Sequence, residues 1–260
     1  MYQAQVNPYR GCFIGPDQLP GQLDDAAIAE FSQRLAASIM AWQTEYRLIW
    51  LELPATLAGL IPAALAAGFE FHHCQSQQLM MVKKLQPDSY VPLAATHSVG
   101  VGAVVWSEQG QVLLVRELAL PGQSAGYFKL PGGMVEPAEH LADAVVREVL
   151  EETGVQAVFQ SLLGFRHHHQ GQFGASNLYF VCQLMAQTTE LTPAVDEIAE
   201  LGWFWPEDYL QDEKASAYNK LILNFALKHT GFAPCKVPGY RADAQSYEIF
   251  FPAIPVVIGE

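Results

Sequence analysis

The sequence has little positive charge. Its 260 residues include 14 lysines and arginines against 27 aspartates and glutamates, which gives a formal net charge of −13. Nucleic acids and anionic lipid surfaces bind to positive protein surface, so neither is an expected partner. The most apolar run, residues 55–69, is too short to cross a bilayer and contains Pro62. The first residues lack a basic segment followed by an apolar one, so no signal peptide is expected. These absences predict a cytoplasmic protein without nucleic-acid or membrane partners.

Cysteine is also scarce. The four cysteines are scattered without a CxxC pair, at Cys12, Cys74, Cys182 and Cys235. This spacing favours reduced thiols over a disulfide framework or a zinc site. Half of the residues are hydrophobic and 16% are charged, a composition typical of globular proteins. The length suffices for one large domain or two modest ones.

A proline-containing turn segment at 85–97 divides the pattern of apolar residues and predicts a domain boundary. Before it, Asp24 and Asp25 are candidate caps for a helix with a clear apolar face, and residues 47–53 are typical of a buried strand. A helical stretch ending near Gly68 and strands at 69–74 and 78–85 follow. Residues 1–90 are therefore predicted to form a small α/β domain.

The second half of the chain begins with a hairpin pattern at 97–117 and has strand patterns near 156–165 and 177–185. Residues 215–229 have helical spacing, with a predicted apolar stripe of Tyr218, Leu221, Ile222 and Phe225. These patterns predict a second domain at 95–232. The proline-rich residues 233–260 are predicted to form an irregular C-terminal extension.

An acidic segment at 131–155 is the most informative part of the sequence. Pro137 suits the first turn of a helix and Gly154 the position after its end, while Leu141, Val145 and Val149 give that helix a buried side. The same helix would hold three carboxylates within about a third of its circumference. They are Glu148, Glu151 and Glu152.

Three ionised carboxylates that close to one another are unfavourable unless a cation compensates them. Arg147 precedes Glu151 by four residues and can offset one charge. Mg²⁺ prefers oxygen ligands and bridges carboxylates to substrate phosphates, so a bound divalent cation would resolve the repulsion. The alternative is a solvated acidic helix face without a ligand.

The spacing of the segment favours the cation. It fits the template G-x5-E-x7-R-E-U-x-E-E-x-G-U, in which U is a bulky aliphatic residue, at every fixed position. By this template the chain resembles the Nudix hydrolases, and "KLPGG" at 129–133 resembles the same family. The resemblance implies a fold of mixed helices and strands, in the broad α/β (α+β) class. Its expected architecture is a three-layer α/β/α sandwich around a mixed sheet.

The resemblance also implies a chemistry, namely hydrolysis of a nucleoside diphosphate linked to another group. It implies that Mg²⁺ or Mn²⁺ is bound by the Gly133 carbonyl, Glu148, Glu151 and Glu152. Arg147 corresponds to an arginine that orients a glutamate, and Glu139 to a residue that supports the metal or water positions. The general base is Glu148 in some members and a glutamate on a later loop in others, for which Glu197 and Glu200 are the candidates here.

Several further segments resemble one Nudix subgroup, which contains the antisense fibroblast growth factor protein of animals and plant ADP-ribose/NADH pyrophosphatases. Among them are "NPYRGCFIG", "GFEFHHCQSQQLMMVKKL" and "FRHHHQGQFGASNLYFVCQL". The resemblance implies an N-terminal domain of acetyltransferase-like topology and the substrates ADP-ribose or NADH, cleaved to AMP and a phosphorylated product. Arg166 and His169 match an "FRxxH" pattern of the subgroup and are candidate substrate contacts. Arg116 is a third, with a surface salt bridge as its alternative.

Two other functions are alternatives to the hydrolase. A catalytically weak, nucleotide-binding regulatory protein would be expected to have a broken template, whereas every acidic position here is intact. Acyl transfer by the N-terminal domain would need a glycine-rich pyrophosphate loop, and the nearest match, "HSVGVG", begins with the wrong residue and lies beyond the domain boundary. The N-terminal domain is instead expected to act as a scaffold or to form a homodimer.

Overall fold

The computed structural model describes residues 1–7, 10–119, 121–122, 126–237, 239–240 and 243–252. Residues 253–260 of the predicted C-terminal extension, with 238, 241 and 242, lie outside the described residues. The chain divides into two compact units, Met1–Thr96 and His97–Glu260. Among the described residues, no helix is both long and apolar enough to cross a bilayer.

The N-terminal unit is a five-stranded mixed sheet with two helices. Its elements are β1 (Gln5–Val6), β2 (Gly11–Ile14), α1 (Asp25–Trp42), β3 (Leu48–Pro54), α2 (Ile61–Ala66), β4 (Glu70–Gln75) and β5 (Gln78–Lys84). The sheet order is β1-β2-β3-β5-β4, with β2 and β3 parallel. Helix α1 begins as predicted, because the Asp24 carboxylate accepts a hydrogen bond from Ala27 N at 2.7 Å. Apolar residues of α1 and α2 pack on β2, β3 and β5 to form the core of this unit.

The C-terminal unit contains a second five-stranded sheet. Its elements are β6 (His97–Trp106), β7 (Val112–Glu117), α3 (Leu141–Thr153), β8 (Ala157–His168), β9 (Ser176–Ala186), β10 (Ile198–Phe204), α4 (Pro206–Gln211), α5 (Ala217–Ala226), β11 (Ala233–Pro234) and β12 (Phe250–Phe251). The sheet order is β10-β7-β6-β9-β8, and the central pair β6 and β9 is parallel while the other pairs are antiparallel.

The side chains of β6 alternate between two cores, as a period of two requires. Val101 and Ala103 contact the apolar side of α3, whereas Val104 packs with residues of α4 and α5 on the opposite face of the sheet. A mixed sheet therefore lies between two helical layers. The predicted α/β/α sandwich is confirmed.

Helix α3 begins later than the sequence predicts. It starts at Leu141, not near Pro137, because Ala138 has a left-handed φ of +65° that a helix cannot accommodate. Its end is as predicted: Gly154 follows with φ +73°, and its amide bonds to Leu150 O.

The buried face of α5 also differs from the prediction. The helix exists, but Ile222, Leu223 and Ala226 are buried, whereas Leu221 is 66% exposed and Phe225 is also exposed. The apolar residues surround this helix, so spacing alone does not choose the face that packs on the sheet.

Candidate active site

The turn at 129–135 fills a gap in the C-terminal sheet. Strands β6 and β7 pair at Trp106 and Val112 and then separate. Between them, Lys129 exchanges two backbone hydrogen bonds with Val115 of β7. On the other side, the carbonyls of Pro131 and Gly133 accept hydrogen bonds from amides of β6, each at 2.9 Å. The turn is thus fixed by backbone pairing on both sides.

The two glycines of this turn bring the backbone against helix α3. Gly132 has φ +148°, and a Cβ there would lie 2.1 Å from Val101 O. A Cβ on Gly133 would lie 2.4 Å from Glu148 Oε2. Both positions require glycine, one for its backbone conformation and the other for the space that a glutamate occupies.

Glu152 is buried against the same turn. Its side chain points into the site from the last turn of α3, only 5% of the residue is exposed, and Oε2 accepts a hydrogen bond from Gly132 N at 2.9 Å. Burial raises the pKa of Glu152 to about 7, a rise that the Gly132 hydrogen bond and the charge of Lys129 oppose. A buried carboxylate in this position is well placed to gain from a nearby cation.

Arg147 links the carboxylates of the segment. Its Nη1 donates to Glu148 Oε1 and to Glu151 Oε2, both at 3.0 Å. Its Nε and Nη2 donate to the two oxygens of Glu139, and Nη2 also donates to Met134 O at 3.0 Å. The hydrogen bond to Glu139 is the main reason why the pKa of Arg147 lies above its ordinary value. Arg147 therefore holds the turn and the helix together.

The oxygen donors of this region fit a hard divalent cation in kind. Carboxylates of Glu148 and Glu152 lie against a turn that also offers backbone carbonyls, and Glu151 lies one helical turn after Glu148. Within the described part of the chain, no three carboxylate, histidine or cysteine side chains already converge on a common point. Two of the glutamates are instead turned towards Arg147 Nη1.

A lysine–glutamate pair borders the buried carboxylate and was missed from the sequence. Lys129 Nζ is paired with Glu117 at the end of β7. Both charges act on Glu152, since Lys129 opposes and Glu117 adds to the rise that burial causes in its pKa. The position of Lys129 inside "KLPGG" indicates that it lies near the glycine turn. No pattern in the sequence indicates that Glu117 of β7 is its partner.

Tyr179 is a second residue that the sequence reading missed. Its ring lies across the glycine face of β6, where a Cβ on Gly102 would be 2.0 Å from the Tyr179 hydroxyl. Burial raises the pKa of Tyr179, and Glu152 adds to this rise whereas Arg166 opposes it. The two glycines of "VGVG" at 99–102 leave space on one face of β6, which the ring of Tyr179 occupies. They are the feature of the sequence that indicates a neighbouring side chain there.

Arg166 lies beside that ring. Its guanidinium carbon is 5.4 Å from the ring centroid of Tyr179 and 5.3 Å from that of Tyr218. Its Nη2 makes a long hydrogen bond of 3.4 Å to Asn177 Oδ1. The structure therefore places this exposed cation next to an aromatic residue that interacts with Glu152.

Arg116 lies on the other face of the sheet from α3, and it is paired with Glu200. Glu200 belongs to strand β10, so the prediction that it lies on a loop is wrong; it pairs with β7 across from Arg116. Glu197 does lie in a turn just before β10. Arg116 lines a cavity of about 550 Å³ with Tyr127 and Lys214, and its assignment to the substrate stays a prediction.

The histidine run lies at the end of β8. His167 and His168 end the strand, and the exposed His169 packs on His167 with ring centroids 4.3 Å apart. His168 lines a cavity of about 540 Å³ that also includes Met134 and Asn177, and so adjoins the glycine turn. The cavity therefore lies next to a contact of Arg147, since Met134 O accepts a hydrogen bond from Arg147 Nη2.

Comparisons with known proteins identify the family of this chain. The "NUDIX domain" family model matches residues 96–225, and the "Nudix hydrolase domain" model matches residues 2–85. "Nudix hydrolase 2" of Arabidopsis thaliana is 37% identical over 193 residues, which cover 74% of this chain and 69% of the relative. "Nucleoside diphosphate-linked moiety X motif 6" of Homo sapiens is 29% identical over 259 residues, covering 98% and 78%. The crystal structure of the MutT protein from Methanosarcina mazei Go1 is 28% identical, with a TM-score of 0.44, over 52% of this chain and 97% of that one.

The chain belongs to the Nudix hydrolases. The family and the subgroup predicted from the sequence are confirmed. The protein is accordingly a pyrophosphohydrolase that acts on nucleoside diphosphate derivatives, in a family that generally uses divalent metal ions. The acetyltransferase-like topology of the N-terminal domain stays a prediction.

Proposed function

We propose that the protein hydrolyses the diphosphate of ADP-ribose or NADH, releasing AMP and a second phosphorylated product, with Mg²⁺ or Mn²⁺ as its metal. The observation that carries this proposal is the packing of Glu148 and Glu152 against the turn Gly132–Gly133. A bound divalent cation would explain why a buried carboxylate and a second glutamate are held against a backbone turn in a protein of net charge −13.

The proposed metal ligands are Glu148, Glu151, Glu152 and the Gly133 carbonyl. A divalent cation bound there would offset the charge of the diphosphate and lower the pKa of the attacking water. Gly133 O already accepts a hydrogen bond from Val101 N, which fixes its direction and leaves one lone pair for a further contact.

We assign the general base to Glu148. Its side chain is 15% exposed, and its Oε1 accepts from Arg147 Nη1, so the carboxylate is held in one orientation beside the turn. The attacking water would transfer its proton to this carboxylate as the new P–O bond forms and the bond to the bridging oxygen breaks. Glu200 is a weaker candidate because it pairs with Arg116, on the face of the sheet opposite α3. Glu197 remains the loop alternative.

Arg147 and Glu139 would then act by positioning. Arg147 connects Glu139, Met134 O and two of the proposed ligands, so it fixes the helix relative to the turn. On the substrate side, the exposed Arg166 would contact a phosphate, since a guanidinium matches phosphate oxygens in geometry and charge. His169, at the end of the same strand, is the proposed second contact.

The cavity of about 540 Å³ beside Met134 and Asn177 is the proposed site for the rest of the nucleotide. Its volume is within the range of pockets for small ligands. Phe173, whose side chain is fully exposed at this cavity, could stack on a base.

The experiment that tests this function is a panel of nucleoside diphosphate conjugates incubated with purified protein and Mg²⁺ or Mn²⁺. AMP release from ADP-ribose or NADH is expected, with none after EDTA and none from the Glu152→Gln variant. If every conjugate remains intact with both metals, the alternative of a catalytically weak nucleotide-binding regulator replaces the proposal. A cytoplasmic location and a homodimer also stay proposals, which cell fractionation and sedimentation would test.

A further inference from the structure

The helix that carries the proposed metal ligands lacks a cap of its own. The residue before it, His140, has an extended backbone and makes no side-chain capping bond. The first amides of a helix have no acceptor within the helix and need a partner from elsewhere. In α3 these amides include those of Leu141 and Ala142, which come before the first intrahelical bond, from Ala144 N to His140 O.

Their partner is Glu248, from the C-terminal extension. Its Oε2 accepts a hydrogen bond from Leu141 N at 2.5 Å, and its Oε1 accepts one from Ala142 N at 3.1 Å. Nδ1 of His140 lies 3.8 Å from Oε2, and the Glu248 side chain is only 17% exposed. A carboxylate at the amino end of a helix also interacts favourably with the helix dipole. A residue more than 100 positions away in sequence thus supplies the acceptors for the first two amides of the helix.

The segment that carries Glu248 is fastened to the sheet. Strand β12 pairs with β11, and Phe232, just before β11, exchanges backbone hydrogen bonds with Leu162 of β8. Phe250 packs on Phe159 of β8, with ring centroids 5.7 Å apart, and joins the core that includes the buried side of α3. Contacts with β8 therefore fix the segment that carries Glu248. These contacts do not involve the glycine turn at the other end of α3.

We propose that Glu248 is a positioning residue for the metal site. This role rests on the proposed function, since it concerns the glutamates assigned there as ligands. Helix α3 is held at its carboxyl end by the Gly132–Glu152 contact and at its amino end by Glu248. Loss of the Glu248 contacts lets the first turn of α3 unwind, or lets the whole helix shift relative to the glycine turn. Glu148 and Glu152 then spread over more positions relative to the turn, and metal affinity falls.

The test compares Glu248→Ala and Glu248→Gln with Glu108→Ala, which removes an exposed glutamate from the turn between β6 and β7. Amide hydrogen exchange of Leu141 and Ala142, measured without metal, reports the cap itself. In Glu248→Ala it should be about tenfold faster, the size of effect that loss of a capping side chain has. Glu248→Gln keeps a neutral oxygen acceptor, so its exchange should be intermediate, and Glu108→Ala should match the parent protein.

Mn²⁺ affinity, measured by electron paramagnetic resonance on protein without substrate, reports the positioning role. It should fall roughly tenfold in Glu248→Ala, as removal of an outer-shell partner typically causes. In turnover, kcat should fall with little change in KM. If Glu248→Ala does not fold, the Glu248→Gln variant carries the same comparison.

The outcomes separate the two proposals. Faster amide exchange with unchanged Mn²⁺ affinity would overturn the positioning role and leave the proposed function intact. If the amide exchange of Leu141 and Ala142 is unchanged in Glu248→Ala, Glu248 does not cap the helix, and the positioning role is overturned. If the parent protein binds no Mn²⁺ although Glu248 protects the two amides, the proposed function itself fails, and the positioning role fails with it.

Discussion

Arg147 binds Glu139 through two parallel hydrogen bonds, from Nε to Oε1 at 2.8 Å and from Nη2 to Oε2 at 3.0 Å. This bidentate pair uses the planar geometry of the guanidinium, and the remaining donor Nη1 reaches Glu148 and Glu151. One arginine thus neutralises part of an acidic segment and fixes the direction of its carboxylates.

Replacing Arg147 with lysine should impair both folding and catalysis. An ammonium cannot reproduce the two parallel bonds and reach the other glutamates at the same time. The Arg147 side chain is 26% exposed, so we expect a loss of about 2 kcal/mol in unfolding free energy, between the values for exposed and buried pairs. Urea unfolding and kcat measure the two effects. Arg34→Lys is the control: Arg34 has a loose ion pair with Glu30 at 3.7 Å and lies over the Tyr2 ring, a contact that a lysine can also make, so its change should cost less than about 0.5 kcal/mol. Equal losses in both variants would contradict the role of Arg147.

Glu139 should make the stability of the protein depend on acid pH. The hydrogen bond from Arg147 holds the pKa of Glu139 below its ordinary value in the folded protein. Its stabilising effect is therefore fully present above the ordinary carboxyl pKa and is lost as the pH falls through the folded-state value. Unfolding free energy measured between about pH 6 and pH 3 should fall less steeply in Glu139→Gln than in the parent. The same slope in both proteins would show that the pair does not stabilise the fold.

The two glycines of the turn should respond differently to alanine. At Gly132 the positive φ and the contact with Val101 O both oppose a side chain, so Gly132→Ala should destabilise the fold by several kcal/mol. At Gly133 the obstacle is the Glu148 carboxylate, so Gly133→Ala should displace that side chain, lowering kcat with a smaller effect on stability. Thermal unfolding and turnover separate the two cases. Gly164→Ala is the control, because a Cβ at Gly164 would have no atom within 4 Å apart from its chain neighbours. A Gly133→Ala protein with normal kcat would count against Glu148 as a ligand and base.

Arg166→Ala should weaken substrate binding more than turnover. Loss of one charged hydrogen-bond donor to a phosphate should raise KM for ADP-ribose roughly tenfold and leave kcat within a factor of about two. Initial rates over a range of substrate concentrations measure both constants. Arg34→Ala, in the N-terminal unit, controls for the loss of a positive charge. A fall in kcat alone would place Arg166 outside the substrate contacts.

The sequence pattern predicts those features of α3 that depend on residues close to one another in the chain. The spacing of Leu141, Val145 and Val149 predicts the buried side of α3, and Gly154 its end, because both depend on neighbours within a few residues. The Nudix template likewise predicts which glutamates share a helix face.

The start of α3 was not predictable in the same way. Pro137 is locally suited to a first turn, but the acceptors for the first amides come from Glu248, and no local pattern connects these two segments. The pairing of Arg116 with Glu200 depends in the same way on the register of β10 against β7. Contacts between distant segments determine these features, and a single sequence does not reveal them.

The most direct test of the whole account is a titration of the protein with Mn²⁺, in which electron paramagnetic resonance measures the free ion. The titration is done at pH 8, because burial raises the pKa of Glu152 to about 7. We expect the parent protein to bind Mn²⁺ and a folded variant with glutamine at 148, 151 and 152 to bind none at the same site. If the triple variant removes as much free Mn²⁺ as the parent, or if the parent removes none, the acidic face of α3 is not the metal site.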